Sequence, residues 1–346
     1  MYIKRILLIV VLLGLVAAGI FSYYIYNTIF SPNTNFDGEE YVYVSSDRSY
    51  ILVRNQLKDK LKDIESFDIL AQKKGYASHV KPGKYKLTAG MSNNDIINTL
   101  RSRNIPVQVS FNNQETFEKL AGRIAEQIEA DSVSLLNAMR DVDFIASSPW
   151  SLETALSMYI PNSYEFYWNT SAEDFRDRMQ QEYKRFWNEN RLEKAEAIGL
   201  TLQQVINLAS IVQKETAKVD ERPRVAGVYM NRLRVGMLLQ ADPTVIYAIK
   251  KQSGNFDTVI KRVLYKDLEI DSPYNTYKYG GIPPGPIAMP DISSIDAVLN
   301  FEKHDYFYFV ANVEDFGYHE FAKTLSEHNR NKQKYVNWIN KKGINR

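Results

Sequence analysis

The stretch Thr201-Leu-Gln-Gln-Val-Ile-Asn-Leu-Ala-Ser-Ile-Val-Gln-Lys-Glu-Thr216 predicts the helix around which the rest of the chain is organised. Thr201 is a favourable N-cap, and Gln204 three residues later completes a capping box. Apolar residues then recur at intervals of three or four, as on one helix face: Val205, Leu208, Ala209 and Val212. Glu215 follows this series by three residues, so we expect it on or beside the apolar face.

That position makes Glu215 the candidate catalytic residue. Shelter from water disfavours the charged form of a carboxyl group and therefore raises its pKa. A glutamate with a raised pKa still carries a proton near neutral pH, which general-acid catalysis requires. The sequence thus predicts a proton donor held on a rigid helix.

Two more helices are predicted directly after this one. The first covers Arg222 to Arg234 and has a proline in its first turn. The second begins at Asp242-Pro243, which has the pattern of an N-cap followed by a proline. Three polar residues lie on or next to the short connection between these helices, and we expect them near Glu215 as substrate-binding residues: Gln240, Asp242 and Thr244.

Several longer motifs occur in one order along the chain. They are Ala209-Ser-Ile-Val-Gln-Lys-Glu-Thr216, Glu221-Arg-Pro223, Asn231-Arg-Leu233, Leu239-Gln-Ala-Asp-Pro-Thr-Val-Ile-Tyr247, Ser272-Pro-Tyr-Asn-Thr-Tyr277, Gly281-Ile-Pro-Pro-Gly-Pro-Ile287 and His319-Glu-Phe321. This series resembles the YceG-like family, the endolytic murein transglycosylases. The family's catalytic glutamate corresponds to Glu215. Gln213 stands where some relatives carry a further acid, and Leu156-Ser157 where many carry Glu-Gly.

The resemblance implies a lytic transglycosylase, a lyase that cuts peptidoglycan glycan strands internally. In such enzymes one glutamate protonates the oxygen between N-acetylmuramic acid and N-acetylglucosamine. The carboxylate then takes the proton of the muramyl C6 hydroxyl, which attacks C1 and leaves a 1,6-anhydro end. An internal nucleophile makes a second carboxylate dispensable, so the expected role of Asp242 is to cap its helix and steady its neighbours. The resemblance further implies that cleavage ends strand growth beside peptidoglycan synthases.

Two other functions remain open from the sequence. A muramidase that uses water needs a second carboxylate, for which Asp242 and Glu221 are candidates. A membrane-anchored scaffold that binds peptidoglycan without cutting it needs no catalytic residue. The products distinguish the three: an anhydro end, a reducing end or no cleavage.

A glycine- and proline-rich region follows the catalytic cluster. It contains Ser272 to Tyr277 and Gly280 to Pro286, and loops of this kind on a rigid frame often line a cleft. Three of its residues are candidates for stacking on sugars and for binding N-acetyl groups: Tyr274, Asn275 and Tyr277. The alternative is that they only shape the turn.

Residues Ile6 to Phe30 contain no charge and are long enough to cross a bilayer. Lys4 and Arg5 precede the stretch and acids follow it, which places residues 1–5 in the cytoplasm and the catalytic part outside the membrane or in the periplasm. A cleaved signal peptide is the alternative, although the apolar run exceeds the usual signal core. We therefore expect a single-pass anchor in the cytoplasmic membrane.

The rest of the chain predicts an α+β fold. Residues 31–40 form a polar linker, and residues 41–105 alternate strand, two helices, strand and helix. Their Pro-Gly-x-Tyr-x-Leu segment looks like the LysM-like subdomain of this family, which either binds sugar or acts as a spacer. Residues 106–346 are the predicted catalytic domain and end in a basic tail.

Composition narrows the chemistry further. The 346 residues include no cysteine and four histidines, and the net charge is +2. A balanced charge gives no reason to expect a nucleic-acid partner. Neither a His-Glu-x-x-His motif nor a thiolate set is present, so we predict no metal and no cofactor.

Overall fold

The computed structural model describes residues 2–341 and has a mixed helix and strand architecture. Its residues cluster into two compact units. The first comprises the chain through Val109 together with Glu126–Ala130 and Tyr164–Ser171. The second comprises Ser110–Ala125, Asp131–Ser163 and the chain from Ala172 onward. The basic tail predicted at the C-terminus lies outside the described residues from position 342.

The first unit begins with α1, Tyr2–Phe30, which is long and apolar enough to cross a membrane. After it come β1 (Glu39–Val44), α2 (Tyr50–Lys58), α3 (Ile64–Lys73), β2 (Gly83–Thr88) and α4 (Asn93–Ser102). Strands β1 and β2 pair antiparallel, from Glu39 opposite Thr88 to Val44 opposite Gly83. Apolar residues of all five elements after α1 form one buried core. The predicted order of strands and helices in 41–105 agrees with these elements.

Part of the segment predicted as a polar linker is hydrogen-bonded to this unit. Buried Asn33 accepts a hydrogen bond from the Asp63 backbone at 2.8 Å and donates to the Asn93 side chain at 2.7 Å. The backbone N–H groups of Asn33 and Asn35 also donate to the carbonyls of Met91 and Lys60. The hydrogen bonds of these asparagines therefore fix residues 33–35 against the helical layer of the unit.

The middle of the chain adds a second strand pair and several short helices. Strand β3 (Pro106–Phe111) pairs with β4 (Asn162–Tyr167) in a two-stranded sheet. Between them lie α5 (Phe117–Ala125), α6 (Ser132–Met139), α7 (Val142–Ala146) and a 3-10 turn at Ala155–Met158. Of the six residues of β4, only Phe166 is buried.

The remaining elements frame the predicted catalytic helix. They are α8 (Ala172–Phe186), α9 (Glu189–Ala197), α10 (Leu202–Glu215), α11 (Arg222–Arg234), α12 (Asp242–Ser253), a 3-10 turn (Tyr265–Glu269), α13 (Ile292–Leu299), β5 (Tyr308–Ala311), β6 (His319–Ala322) and α14 (Leu325–Lys341). Strands β5 and β6 pair antiparallel. Helices α8 and α9 are separate helices, and the Asn188 side chain caps the start of α9.

Helix α10 is buried over its middle turns. Thr201 caps it, and the predicted capping box with Gln204 is present. Eight consecutive residues, Val205 to Val212, are buried, so the helix is enclosed on all sides rather than on one stripe. Helices α11, α12 and α13 pack against it. This enclosure gives the last residue of α10, Glu215, a fixed position.

Candidate active site

Glu215 lies at the carboxyl end of α10 with its side chain half-buried. The hydroxyl of Tyr229, on α11, donates a hydrogen bond to its Oε1 at 2.7 Å. Tyr229 is itself buried, and its ring packs edge-on against Phe309 of β5. One carboxylate oxygen is therefore held by a rigid donor, and Oε2 has no such bond to Tyr229.

The surroundings of Glu215 raise its pKa to about 7, chiefly because burial disfavours the charged carboxylate. The negative charge of Asp242 acts in the same direction. The Tyr229 hydrogen bond and the positive charges of His319 and Arg232 oppose this rise. A carboxyl group with this pKa exchanges its proton near neutral pH in both directions, as an acid that later acts as a base must do.

A second carboxyl group, that of Glu221, is bound to His319. Its Oε1 accepts the His319 backbone N–H at 2.7 Å, and its Oε2 contacts the ring Nδ1 at 2.8 Å. Burial alone raises the pKa of Glu221, but the two hydrogen bonds from His319 and the charge of its ring outweigh this and lower the pKa. Both carboxylate oxygens of Glu221 are bound by His319, the first residue of β6. This carboxylate therefore fixes the start of β6 beside the site.

The predicted cap role of Asp242 is wrong. The N-cap of α12 is Ala241, no side chain makes the cap hydrogen bond, and Asp242 is the first helical residue. Its exposed carboxylate instead accepts a hydrogen bond from the Tyr277 hydroxyl at 2.6 Å. The N–H of Ala241, the residue before Asp242, donates to the Thr276 side chain at 3.0 Å. This bond fixes Ala241 as the residue that precedes the first turn of the helix.

The connection before α12 is clamped to the loop that carries Tyr277. Gln240 is exposed and has a positive φ of 51°, and its N–H donates to the Thr276 carbonyl at 3.1 Å. The buried hydroxyls of Thr244 and Thr276 lie 2.8 Å apart. A positive φ at a non-glycine residue is costly and persists only where its surroundings enforce it. This clamp brings Asp242 and Tyr277 together.

The three predicted sugar-binding residues of the loop differ in exposure. Tyr274 and Asn275 are buried, whereas Tyr277 is half-buried. The amide of Asn275 donates to the carbonyls of Leu268 and Ile270 at 2.8 and 2.9 Å, and its oxygen accepts the Tyr277 N–H at 3.0 Å. Like Thr244, these two buried residues contact protein, and their direct contact with sugar stays a prediction.

Gln213 and Ser157 both have structural contacts. Gln213 donates to Asp291 at 2.8 Å and accepts the Ser294 hydroxyl, which ties α10 to the start of α13. Ser157 is buried and accepts a hydrogen bond from Gln203 at 2.7 Å. Neither position carries a carboxyl group, so neither offers a second acid to the site.

Sequence reasoning did not select Tyr229, Arg232 and His319 as site residues. Arg232 is buried and donates to the carbonyls of Leu239 and Phe307 at 2.6 and 2.7 Å, which fixes the backbone before α12. Arg232 and His319 lie inside the quoted motifs, and Tyr229 lies two residues before Asn231. A tyrosine or arginine on a predicted helix gives no separate signal, since its partner lies far along the chain.

A cavity lies elsewhere in the second unit. It has a volume of about 720 Å³, and its lining includes Glu115, Phe117, Tyr247 and Lys251 but not Glu215. Its Glu115 bridges Lys214 and Lys250 at 2.7 and 2.9 Å, so this carboxylate is compensated. Among residues 2–341, no group of three or more histidines, cysteines or acids is suited to hold a metal ion.

Residues 42–334 match the model of the YceG-like family. The chain belongs to the YceG-like family. An endolytic murein transglycosylase of Bacillus subtilis (strain 168) is 33% identical over 301 residues, which is 82% of this chain and 81% of that protein. Its namesake in Streptococcus pneumoniae D39 is 29% identical over 78% of this chain and 53% of its own length.

The fold of this chain is also similar to a solved structure of the family. A YceG-like protein from Listeria monocytogenes superposes with a TM-score of 0.57 at 29% identity. The superposition covers 85% of this chain and 98% of that one. The mixed helix and strand fold described above is therefore that of a YceG-like protein.

Proposed function

We propose that this protein is an endolytic lytic transglycosylase that cleaves the bond between N-acetylmuramic acid and N-acetylglucosamine within peptidoglycan strands. Its relatives with the name endolytic murein transglycosylase support the activity. The observation that carries the proposal is Glu215, half-buried at the end of α10, hydrogen-bonded by Tyr229, and with a pKa raised to about 7. This residue has the properties of a group that gives up and regains one proton.

In this mechanism Glu215 donates its proton to the glycosidic oxygen, and the electron pair of the broken C1–O bond goes to the leaving sugar. The Glu215 carboxylate next accepts the proton of the muramyl C6 hydroxyl, whose oxygen bonds to C1. The product has a 1,6-anhydro ring, no water is consumed, and the enzyme recovers its proton. Tyr229 keeps one carboxylate oxygen fixed through both steps.

Substrate binding is assigned to the solvent-exposed residues where the connection before α12 meets the loop of Tyr277. Gln240, Asp242 and Tyr277 are accessible to solvent and are the proposed contacts with the strand. Thr244, Tyr274 and Asn275 support these residues from the interior. Residues 106–346 are the proposed catalytic domain, and residues 41–105 the proposed LysM-like subdomain, which either binds sugar or acts as a spacer. The proposed partners are the strand itself and peptidoglycan synthases.

We propose further that α1 is a single-pass anchor with its N-terminus in the cytoplasm and the catalytic part on the outer or periplasmic side. The helix has no buried residue among its 29, as a lipid-facing segment requires. The purified protein should retain the N-terminal residues and stay with membranes in carbonate. A mature N-terminus near Ile20 in a soluble fraction would contradict the anchor.

Mass spectrometry of products tests the activity. The full-length protein in detergent is incubated with purified glycan strands, beside a Glu215→Gln variant. Internal fragments with 1,6-anhydro ends from the wild type alone support the proposal. Reducing ends indicate a water-using muramidase, and strands left intact by the wild type indicate a binding scaffold.

A further inference from the structure

Asp242 is an exposed carboxylate without a capping role in its own helix. It is the first residue of α12, and the N-cap hydrogen bond that its sequence pattern predicts is absent. Its Oδ1 accepts the Tyr277 hydroxyl at 2.6 Å. The charge of this carboxylate is among those that act on the Glu215 carboxyl.

The position of this charge is built into the fold. The left-handed backbone at Gln240, the two hydrogen bonds to Thr276 and the buried Thr244 hydroxyl fix the start of α12 against the loop of Tyr277. Burial raises the pKa of the Tyr277 hydroxyl far above its usual range, so that this group stays a hydrogen-bond donor. Such enforcement of a strained connection is typical of functional sites.

We propose that Asp242 is a second catalytic residue of this site, which stabilises the positive charge that develops on C1 and the ring oxygen of the muramyl sugar. The inference rests on the proposed function and deepens it. As Glu215 protonates the glycosidic oxygen, the C1–O bond breaks and C1 becomes electron-deficient. The Asp242 carboxylate opposes that charge through space and forms no covalent bond. The C6 hydroxyl then attacks C1 and closes the anhydro ring.

The same charge also acts on Glu215. The groups that influence the Glu215 carboxyl are Tyr229 and Arg232 on α11, His319 on β6 and Asp242 on α12. Of these, Asp242 is the one whose charge opposes ionisation of Glu215. The Asp242 carboxylate therefore favours the protonated form of Glu215 before the bond breaks. Afterwards it stabilises the positive charge on the sugar. The two carboxyl groups thus have different roles because their environments differ.

The decisive variant is Asp242→Asn, which keeps an oxygen for the Tyr277 hydroxyl but removes the charge. Asp271→Asn is the matched control, because Asp271 is also exposed and also accepts a tyrosine hydroxyl, that of Tyr279. Cleavage rates are measured with full-length protein over a series of strand concentrations and pH values. Asp242→Glu, which restores the charge one methylene away, completes the set.

We expect Asp242→Asn to lower kcat about 100-fold, the size of one lost electrostatic stabiliser, with KM changed less than about threefold. The control should stay within about twofold of wild type, and Asp242→Glu should recover part of the rate. Loss of the negative charge also lowers the pKa of Glu215, so the fall in rate with rising pH should begin at a lower pH. A purely structural role for Asp242 predicts no such displacement.

The inference is overturned if Asp242→Asn keeps at least a third of the wild-type kcat with an unchanged pH profile. Should that variant fail to fold, Tyr277→Phe decides, because it leaves the carboxylate free to turn away; an unchanged kcat then refutes the proposal. Product identity is a separate readout. Wild-type reducing ends would refute the transglycosylase reaction, while the effect of Asp242 on kcat would still report on charge stabilisation at C1.

Discussion

Glu215 and Glu221 lie on either side of one short turn, and the structure gives them different charge states. Glu215 receives one neutral donor, Tyr229, and its pKa rises to about 7 because it is sheltered from water. Glu221 is buried as well, yet a backbone N–H and an imidazole ring on its two oxygens lower its pKa. Burial alone therefore does not make a carboxyl group an acid catalyst; the number and charge of its hydrogen-bond partners decide.

The largest expected effect is on catalysis at Glu215. Glu215→Gln keeps the size of the side chain and an acceptor for Tyr229 but cannot give up a proton, so the rate of anhydro-end formation should fall at least about 10²–10⁴-fold. Lys214→Gln is the matched control, since Lys214 points to Glu115. Rates are measured by chromatography of digested strands. Near-normal activity in Glu215→Gln would show that Glu215 is not the catalytic acid.

The next effect is on stability at Glu221. Glu221→Gln removes the charge opposite His319 and leaves one donor poorly paired in a buried place, which should cost about 1–3 kcal/mol of unfolding free energy. Chemical denaturation measures the change, with Glu302→Gln as an exposed control that also loses an ion pair. Equal stability in the two variants would show that the buried pair does not hold β6 in place.

His319 contacts Glu221, and its charge also acts on Glu215. Its replacement therefore tests how charge sets the pKa of Glu215. The positive charge of its ring lowers the pKa of Glu215. Without that charge the pKa rises, Glu215 stays protonated to higher pH, and the alkaline fall of kcat/KM in His319→Gln should move upward. A pH–rate profile detects the shift. If the alkaline fall of kcat/KM moved to lower pH instead, the imidazole ring would affect Glu215 by holding neighbouring groups in place rather than by its charge.

A further effect concerns stability as a function of pH. The pKa of Glu215 is higher in the folded protein, about 7 against 4.5, so the folded state binds more protons between these values and loses stability as pH rises through them. Glu215→Gln lacks this loss. Its Tm relative to wild type should increase from pH 4.5 to 7 and then stay constant. A relative Tm that is flat across this window would contradict the raised pKa.

Much of the local structure follows from the sequence alone. The bounds of α10 and α11 are predicted from caps, a proline and apolar spacing, because these signals act within one or two turns. The choice of Glu215 needs only its distance from the apolar series and the motif around it. Likewise, the uncharged run from Ile6 predicts α1 from length and composition.

The contacts of the site were decided only by the tertiary structure. Asp242 has the sequence of an N-cap, but the hydroxyl of Thr276 and the strained backbone at Gln240 place it outward, toward Tyr277. The Tyr229 bond to Glu215 likewise joins two helices whose relative position no local pattern encodes. A pKa depends on every charge and donor within a few ångströms, and those neighbours come from α11, α12 and β6. Spacing along the chain therefore identified the acid, and packing between distant segments set its proton affinity.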